Sequence, residues 1–159
     1  LSINPNRSEK RRNSTIAREA YFLDYAANIK KTISIPVIVT GGFRTRSAME
    51  SAIGNNACEM IGVGRPLCAD PLSIKKLLNG DIEQLSRYEK SLSFGPWIFS
   101  PSSPFRLIQA INGFGAQAWF YQQIKRISLN EDPDLSMSVF AALRKDLAED
   151  VAAVKALKG

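Results

Sequence analysis

Two short apolar runs, each ended by glycine, constrain this chain more than any other feature. Pro36 opens Val37-Ile38-Val39-Thr40, which stops at Gly41-Gly42; Met60-Ile61-Gly62-Val63 stops at Gly64. The first is rich in β-branched residues, and neither alternates apolar with polar. That pattern fits strands buried on both faces of a parallel sheet. A helix from about Thr45 to Ile53 fits between them, stopped by Gly54-Asn55-Asn56. Another precedes the first run: Ser14 or Thr15 caps it, Ile16, Ala20, Leu23 and Ala27 form one apolar face, and Lys30 and Lys31 suit its last turn. A third follows the second run, with Asp70-Pro71 as N-cap and first residue, reaching Leu78 before Asn79-Gly80. Helix, strand, helix, strand, helix is βαβ grammar, and a helical crossover makes the two strands parallel.

The grammar changes at Asp81. Residues 93–103 read as a loop with Gly95-Pro96 and Pro101. Ser103-Pro104 opens a helix carrying Phe105, Ile108, Ile111, Trp119, Phe120, Ile124 and Ile127, which Gly113-Phe114-Gly115 is expected to loosen or break. Asp132-Pro133 is expected to start a last helix striped by Leu135, Val139, Leu143, Leu147, Val151 and Val154. The expected organisation is a basic polar arm over 1–13, βα units over 14–92, and a loop with a two-helix tail over 93–159.

The chemistry sits where the strands end. Without Cβ, the backbone amides of Gly41, Gly42 and Gly64 can approach a ligand closely. A helix expected after each turn adds partial positive charge, and Arg65 adds a permanent, forked cation. Together these form a phosphate cradle, and in (β/α)8 barrels the phosphate site commonly lies in the loops after strands 7 and 8. Either turn alone is better explained by a tight strand end. Both together, one βα unit apart, favour phosphate.

Pro36-Val37-Ile38-Val39-Thr40-Gly41-Gly42-Phe43-Arg44-Thr45, followed by Ile61-Gly62-Val63-Gly64-Arg65-Pro66-Leu67, closely resembles the old yellow enzyme family of NADH:flavin oxidoreductases, especially its fungal branch. Ala17-Arg18-Glu19-Ala20-Tyr21-Phe22 resembles the helix before strand 7, and Gln117-Ala118-Trp119-Phe120-Tyr121 the tail of fungal members. The resemblance implies the C-terminal strands 7 and 8 of a TIM barrel plus a helical tail. It also implies FMN, reduced by NADH or NADPH, which passes hydride to an activated alkene or similar acceptor. Carried over by motif, Gly41 and Gly42 bind the FMN phosphate from the strand-7 turn, and Gly64 and Arg65 complete the site. Phe43 either contacts the ring system or fills the core. Arg44 and Arg46 are expected to face solvent or salt-bridge partners.

Composition sharpens what is missing. A complete barrel takes about 250 residues, and this chain has 159, so it is expected to be part of one. It contains no histidine, which removes the commonest general base, the Ser-His and Cys-His pairs and most zinc sites. Family members usually hold the substrate through a histidine pair or His-Asn pair on an earlier strand. None of Tyr21, Tyr25, Tyr88 or Tyr121 occupies the family's proton-donor motif, so no catalytic residue is assigned. Cys58 and Cys68 read as free, mostly buried thiols of a reducing compartment, and no metal site is expected. The net charge of +6 gathers partly at Arg7, Lys10, Arg11 and Arg12, read as a solvated arm rather than a nucleic-acid contact. With no membrane span and no signal pattern after Leu1, a cytoplasmic setting is expected. Exposed strand edges or the tail helices are expected to favour self-association. Two alternatives stay open: a barrel fragment for another phosphorylated ligand, and a non-enzymatic helical interaction module.

Overall fold

The computed structural model describes residues 25–157, so the arm over 1–13 and the start of the helix expected from Ser14 lie outside the described residues. The chain forms two compact units, each described by itself.

The first unit takes residues up to Gly64 and then Leu72–Ser86. Strands β1 (Ile38–Thr40) and β2 (Met60–Gly62) pair in parallel, with Ile38 opposite Met60, Val39 opposite Ile61 and Thr40 opposite Gly62. The expected parallel βαβ grammar is present. Helix α1 runs over residues 25–30, α2 is Arg46–Gly54 and α3 is Ser73–Asn79. Ala26, Val39, Phe43, Ala52 and Cys58 form the core, with Val37, Ala48, Met49 and Ile61 packed against it.

Burial of the strands on both faces is not what forms. Val39 is 6% exposed, whereas its neighbours Ile38 and Met60, paired in register, are 58% and 57% exposed. Successive side chains point to opposite faces of a strand, and this core covers only the Val39 face. Helix α2 stops at Gly54-Asn55-Asn56 as expected, with Asn56 taking the left-handed turn at φ 57°. Helix α3 starts at Ser73 rather than Pro71, because the Ala69 and Asp70 amides both donate to Pro66 O, at 3.2 and 2.9 Å. Gly80 ends it as expected: at φ 83° its amide donates to Leu77 O, and that of Asp81 to Lys76 O, a Schellman closure.

One polar network ties α1 to the strands. Lys30 pairs with Glu59 Oε1 and donates to Asn56 Oδ1 at 2.6 Å, while Glu59 Oε2 accepts the Val37 amide at 2.7 Å. Lys30 and that amide hold the Glu59 carboxyl below its ordinary range.

The second unit takes Arg65–Pro71 and residues from Arg87 onward. Helices α4 (Arg106–Ser128) and α5 (Val139–Ala156) pack together around Ala69, Leu92, Ala118, Trp119, Val139 and Ala142. The division differs from the expected break at 92/93: the 3-10 turn Arg65–Cys68 packs on α4, with Pro66 buried, and so joins the tail.

Helix α4 is continuous through Gly113-Phe114-Gly115, where a break was expected. A Cβ at Gly115 would overlap Val139 Cγ1 and the Phe94 ring, so this glycine permits close packing rather than a bend. Asn112 anchors the preceding loop, accepting from the Phe94 amide at 3.1 Å and donating to Phe99 O at 2.9 Å. The expected start of the last helix at Asp132-Pro133 is also displaced. Asp134 Oδ1 takes the Ser136 amide and hydroxyl into a turn, at 3.0 and 2.6 Å, and Ser138 caps α5 by accepting from the Ala141 amide at 3.1 Å. The stripe of α5 is buried only at its start: Val139 lies in the core, while Leu147, Val151 and Val154 are exposed.

Two tests follow from this packing. Gly115→Ala is expected to destabilise the second unit by about 1–3 kcal/mol through overpacking. Gly113→Ala, whose Cβ meets nothing within 4 Å, should instead stabilise α4 by about 0.5–1 kcal/mol. Urea unfolding followed by helical circular dichroism reads both signs. The lowered Glu59 pKa sets a pH dependence: its stabilisation is present above the ordinary glutamate range and is lost as pH falls through the folded value. Glu59→Gln should flatten the acid limb of the first unit's stability profile, and an unchanged acid limb would contradict the network's role.

Candidate functional site

The turn after β1 is shaped by two glycines and an anchor. Gly41 and Gly42 have φ of 126° and 79°, values that L side chains rarely adopt, so both positions require glycine. Phe43 follows at 1% exposure, inside the core with Val39 and Ala52. Of the two roles open to it, the one this structure displays is filling the core, and it pins the turn from below.

The chain then meets a segment that strand and helix patterns do not mark. The Leu85 amide donates to Arg44 O at 2.7 Å, the Arg46 amide donates to Glu83 O at 3.1 Å, and Thr45 and Gln84 form an antiparallel bridge. Leu85, almost fully buried, fixes this brace; Ile82 and Leu85, the apolar residues between Asp81 and Ser86, were the available signal. The brace also consumes the first amide of α2, so the helix end offers fewer free donors than expected. Arg44 does not face solvent: it is buried, and its Nη1 donates to Phe43 O at 2.8 Å. Arg46 does as expected, pairing with Glu50 at 2.7 Å across one helical turn.

The turn after β2 is built differently. A Cβ at Gly62 would overlap the Thr40 hydroxyl, so that glycine serves strand pairing. Gly64 is exposed, does not have a positive φ, and a Cβ there would meet nothing within 4 Å. Neither backbone conformation nor packing among the described residues demands a glycine at this strand end. Arg65 is exposed beside it, and its side chain makes no hydrogen bond or ion pair among the described residues. The 3-10 turn Arg65–Cys68 lies between this turn and α3, so the positive charge beside Gly64 comes from Arg65 and not from a helix dipole. Gly41, Gly42, Phe43 and Gly64 thus belong to the first unit and Arg65 to the second.

The cysteines are free, as expected: Cys58 is buried and Cys68 half-buried. Burial pushes both thiols up, which makes them poor nucleophiles at neutral pH. Among the described residues, no three His, Cys, Asp or Glu side chains form a metal cage, and no helix is long and apolar enough to cross a membrane.

Comparison with known proteins places these motifs. Over 61 residues, 38% of the chain, it is 43% identical to the NADH-dependent flavin oxidoreductase iliE of Hypocrea jecorina. Over 115 residues, 70% of the chain, it is 30% identical to the NADH-dependent flavin oxidoreductase iccE of Talaromyces variabilis. The chain is homologous in part to NADH-dependent flavin oxidoreductases. The resemblance read from the glycine turns is borne out at that level. The match covers 15% of the Hypocrea protein and 27% of the Talaromyces protein, so the chain spans about a quarter or less of these flavin oxidoreductases. A bilirubin reductase of Mediterraneibacter gnavus is 42% identical over 57 residues, covering 36% of the chain and 9% of that protein. No family model matches, and no solved structure matches.

The two turns predict opposite mutational behaviour. Gly42→Ala should cost about 1–2 kcal/mol, the penalty of a left-handed L-residue, read as a lowered urea midpoint of the first unit. Gly64→Ala should leave that midpoint unchanged.

Proposed function

We propose that this chain is the C-terminal segment of an FMN-dependent NAD(P)H oxidoreductase. It supplies strands 7 and 8 of a (β/α)8 barrel and a helical tail, and it binds the FMN phosphate through Gly41, Gly42, Gly64 and Arg65. The carrying observation is Gly64, where neither backbone conformation nor packing among the described residues demands a glycine, directly before an exposed arginine at a strand end. Open space at its Cβ is where a ligand backing onto the strand would lie. Names of relatives at 30–43% identity support a flavin and NADH. Bound, the flavin supplies hydride transfer from a reduced nicotinamide to an activated alkene or similar acceptor.

This chain's residues bind and orient. The required glycines at 41 and 42 bring backbone to the phosphate, with Phe43 holding the turn in place. Arg65 neutralises the phosphate charge with a donor fork suited to its oxygens. With no histidine in the chain, substrate activation belongs to the part of the barrel outside this sequence. The apolar face bearing Ile38 and Met60 supports association with that part or with a second copy. Because the cradle reads phosphate and Phe43 is buried away from any ring, a sugar phosphate is the second reading.

The test compares FMN with riboflavin, which lacks the phosphate, using the chain with a complementary barrel segment from a relative supplied in trans. Arg65→Ala and Gly64→Ala should each weaken FMN about tenfold or more, roughly 1.4 kcal/mol, and leave riboflavin unchanged. Absence of FMN binding in that mixture removes the flavin reading. Preference for a sugar phosphate establishes the second.

A further inference from the structure

The two glycine turns are held by different parts of the chain. The first is anchored by Phe43 within the strand unit. The second is followed by Arg65–Pro71, which packs with the tail although it sits between β2 and α3 in sequence. Pro66 is fully buried while Arg65 beside it is exposed, and Ala69 shares a core with Ala118, Trp119, Val139 and Ala142. The Ala69 and Asp70 amides close onto Pro66 O, so the 3-10 turn that starts at Arg65 is hydrogen-bonded on to Asp70. Whatever fixes Pro66 and Ala69 therefore fixes the direction in which Arg65 leaves the backbone.

We infer that Trp119 of α4 is the positioning residue for Arg65. The indole is the largest fully buried side chain, and its Nε1 donates to Met137 O at 2.9 Å. That bond ties α4 to the loop before α5 and stops the ring from turning. Tyr88 packs on it at 5.9 Å between ring centres. The small residues Ala69 and Ala118 let the 3-10 turn approach the helix closely, so a rigid ring in this core limits the movement of that turn. The tail thus tunes phosphate affinity without touching the ligand. This consequence rests on the phosphate reading of Arg65; the mechanical link does not.

Two measurements on Trp119→Phe test the inference, with Trp119→Leu as the stronger variant and helical circular dichroism confirming that α4 and α5 remain formed. In the 159-residue chain, amide hydrogen exchange should show at least tenfold loss of protection at Ala69 and Asp70, with Asn55 and Ala57 of the strand unit unchanged. In the FMN and riboflavin assay, Trp119→Phe should weaken FMN several-fold and spare riboflavin. Combined with Arg65→Ala it should add nothing further, because both act through one contact. Unchanged exchange at Ala69 and Asp70, or a loss of FMN affinity that adds to that of Arg65→Ala, overturns the inference. If Arg65→Ala weakens FMN and riboflavin alike, the phosphate reading falls, and the exchange result alone decides whether Trp119 holds the turn.

Discussion

The close approach of Thr40 to Gly62 is the constraint from which the candidate site follows. The Thr40 side chain lies where a Cβ of Gly62 would be, and the two residues are register partners at the ends of β1 and β2. Gly62 cannot be exchanged freely, because a side chain there would push the strands apart or shift their pairing. A shift by one residue turns every side chain to the other face, which would take Val39 out of the core. Both glycine turns start from the strand ends that this register aligns. The site thus begins as a problem of strand packing, before any ligand chemistry enters.

The strands, their parallel pairing and the central helix were legible because they leave strong local signals. Val37-Ile38-Val39 is β-branched, and Gly41-Gly42 leaves the L-residue region altogether. What was not legible depended on contacts distant in sequence. Gly113-Phe114-Gly115 carries the signature of a helix break, but Gly115 is a contact point for Val139 and Phe94. Propensity yields there to tertiary packing. The burial of α4 does not follow residue type either: Asn112, Gln122 and Gln123 are inside, whereas Phe105 at its start, Phe114 and Ile124 are exposed. Asn112 explains itself by bonding the loop at Phe94 and Phe99. Gln123 does not, since neither of its amide atoms has a partner among the described residues, and buried polar groups of that kind are uncommon.

At the site, the glycines were legible from residue type alone, but their separate reasons were not. Gly41 and Gly42 are demanded by backbone conformation, Gly62 by its neighbour, and Gly64 by neither. Sequence shows four glycines at two strand ends. Only geometry separates the three that build the fold from the one that leaves room beside it. Arg44 and Arg65 divide likewise: one is spent on the carbonyl of Phe43, the other is exposed.

That separation bears on how the proposed phosphate site would be assembled. A cradle made of backbone amides needs positional accuracy, because an amide cannot reach for its ligand as a lysine can. The first turn obtains accuracy from a buried aromatic residue and from the brace at Glu83–Leu85. Past the second turn, at Gly64, the chain enters the helical unit, where Pro66 and Ala69 are buried. If Trp119 positions Arg65 as proposed, the direction of Arg65 is set by the tail's core. A basic residue on a free loop would bring the same charge without a fixed direction, and a forked donor set is useful only when its direction is fixed.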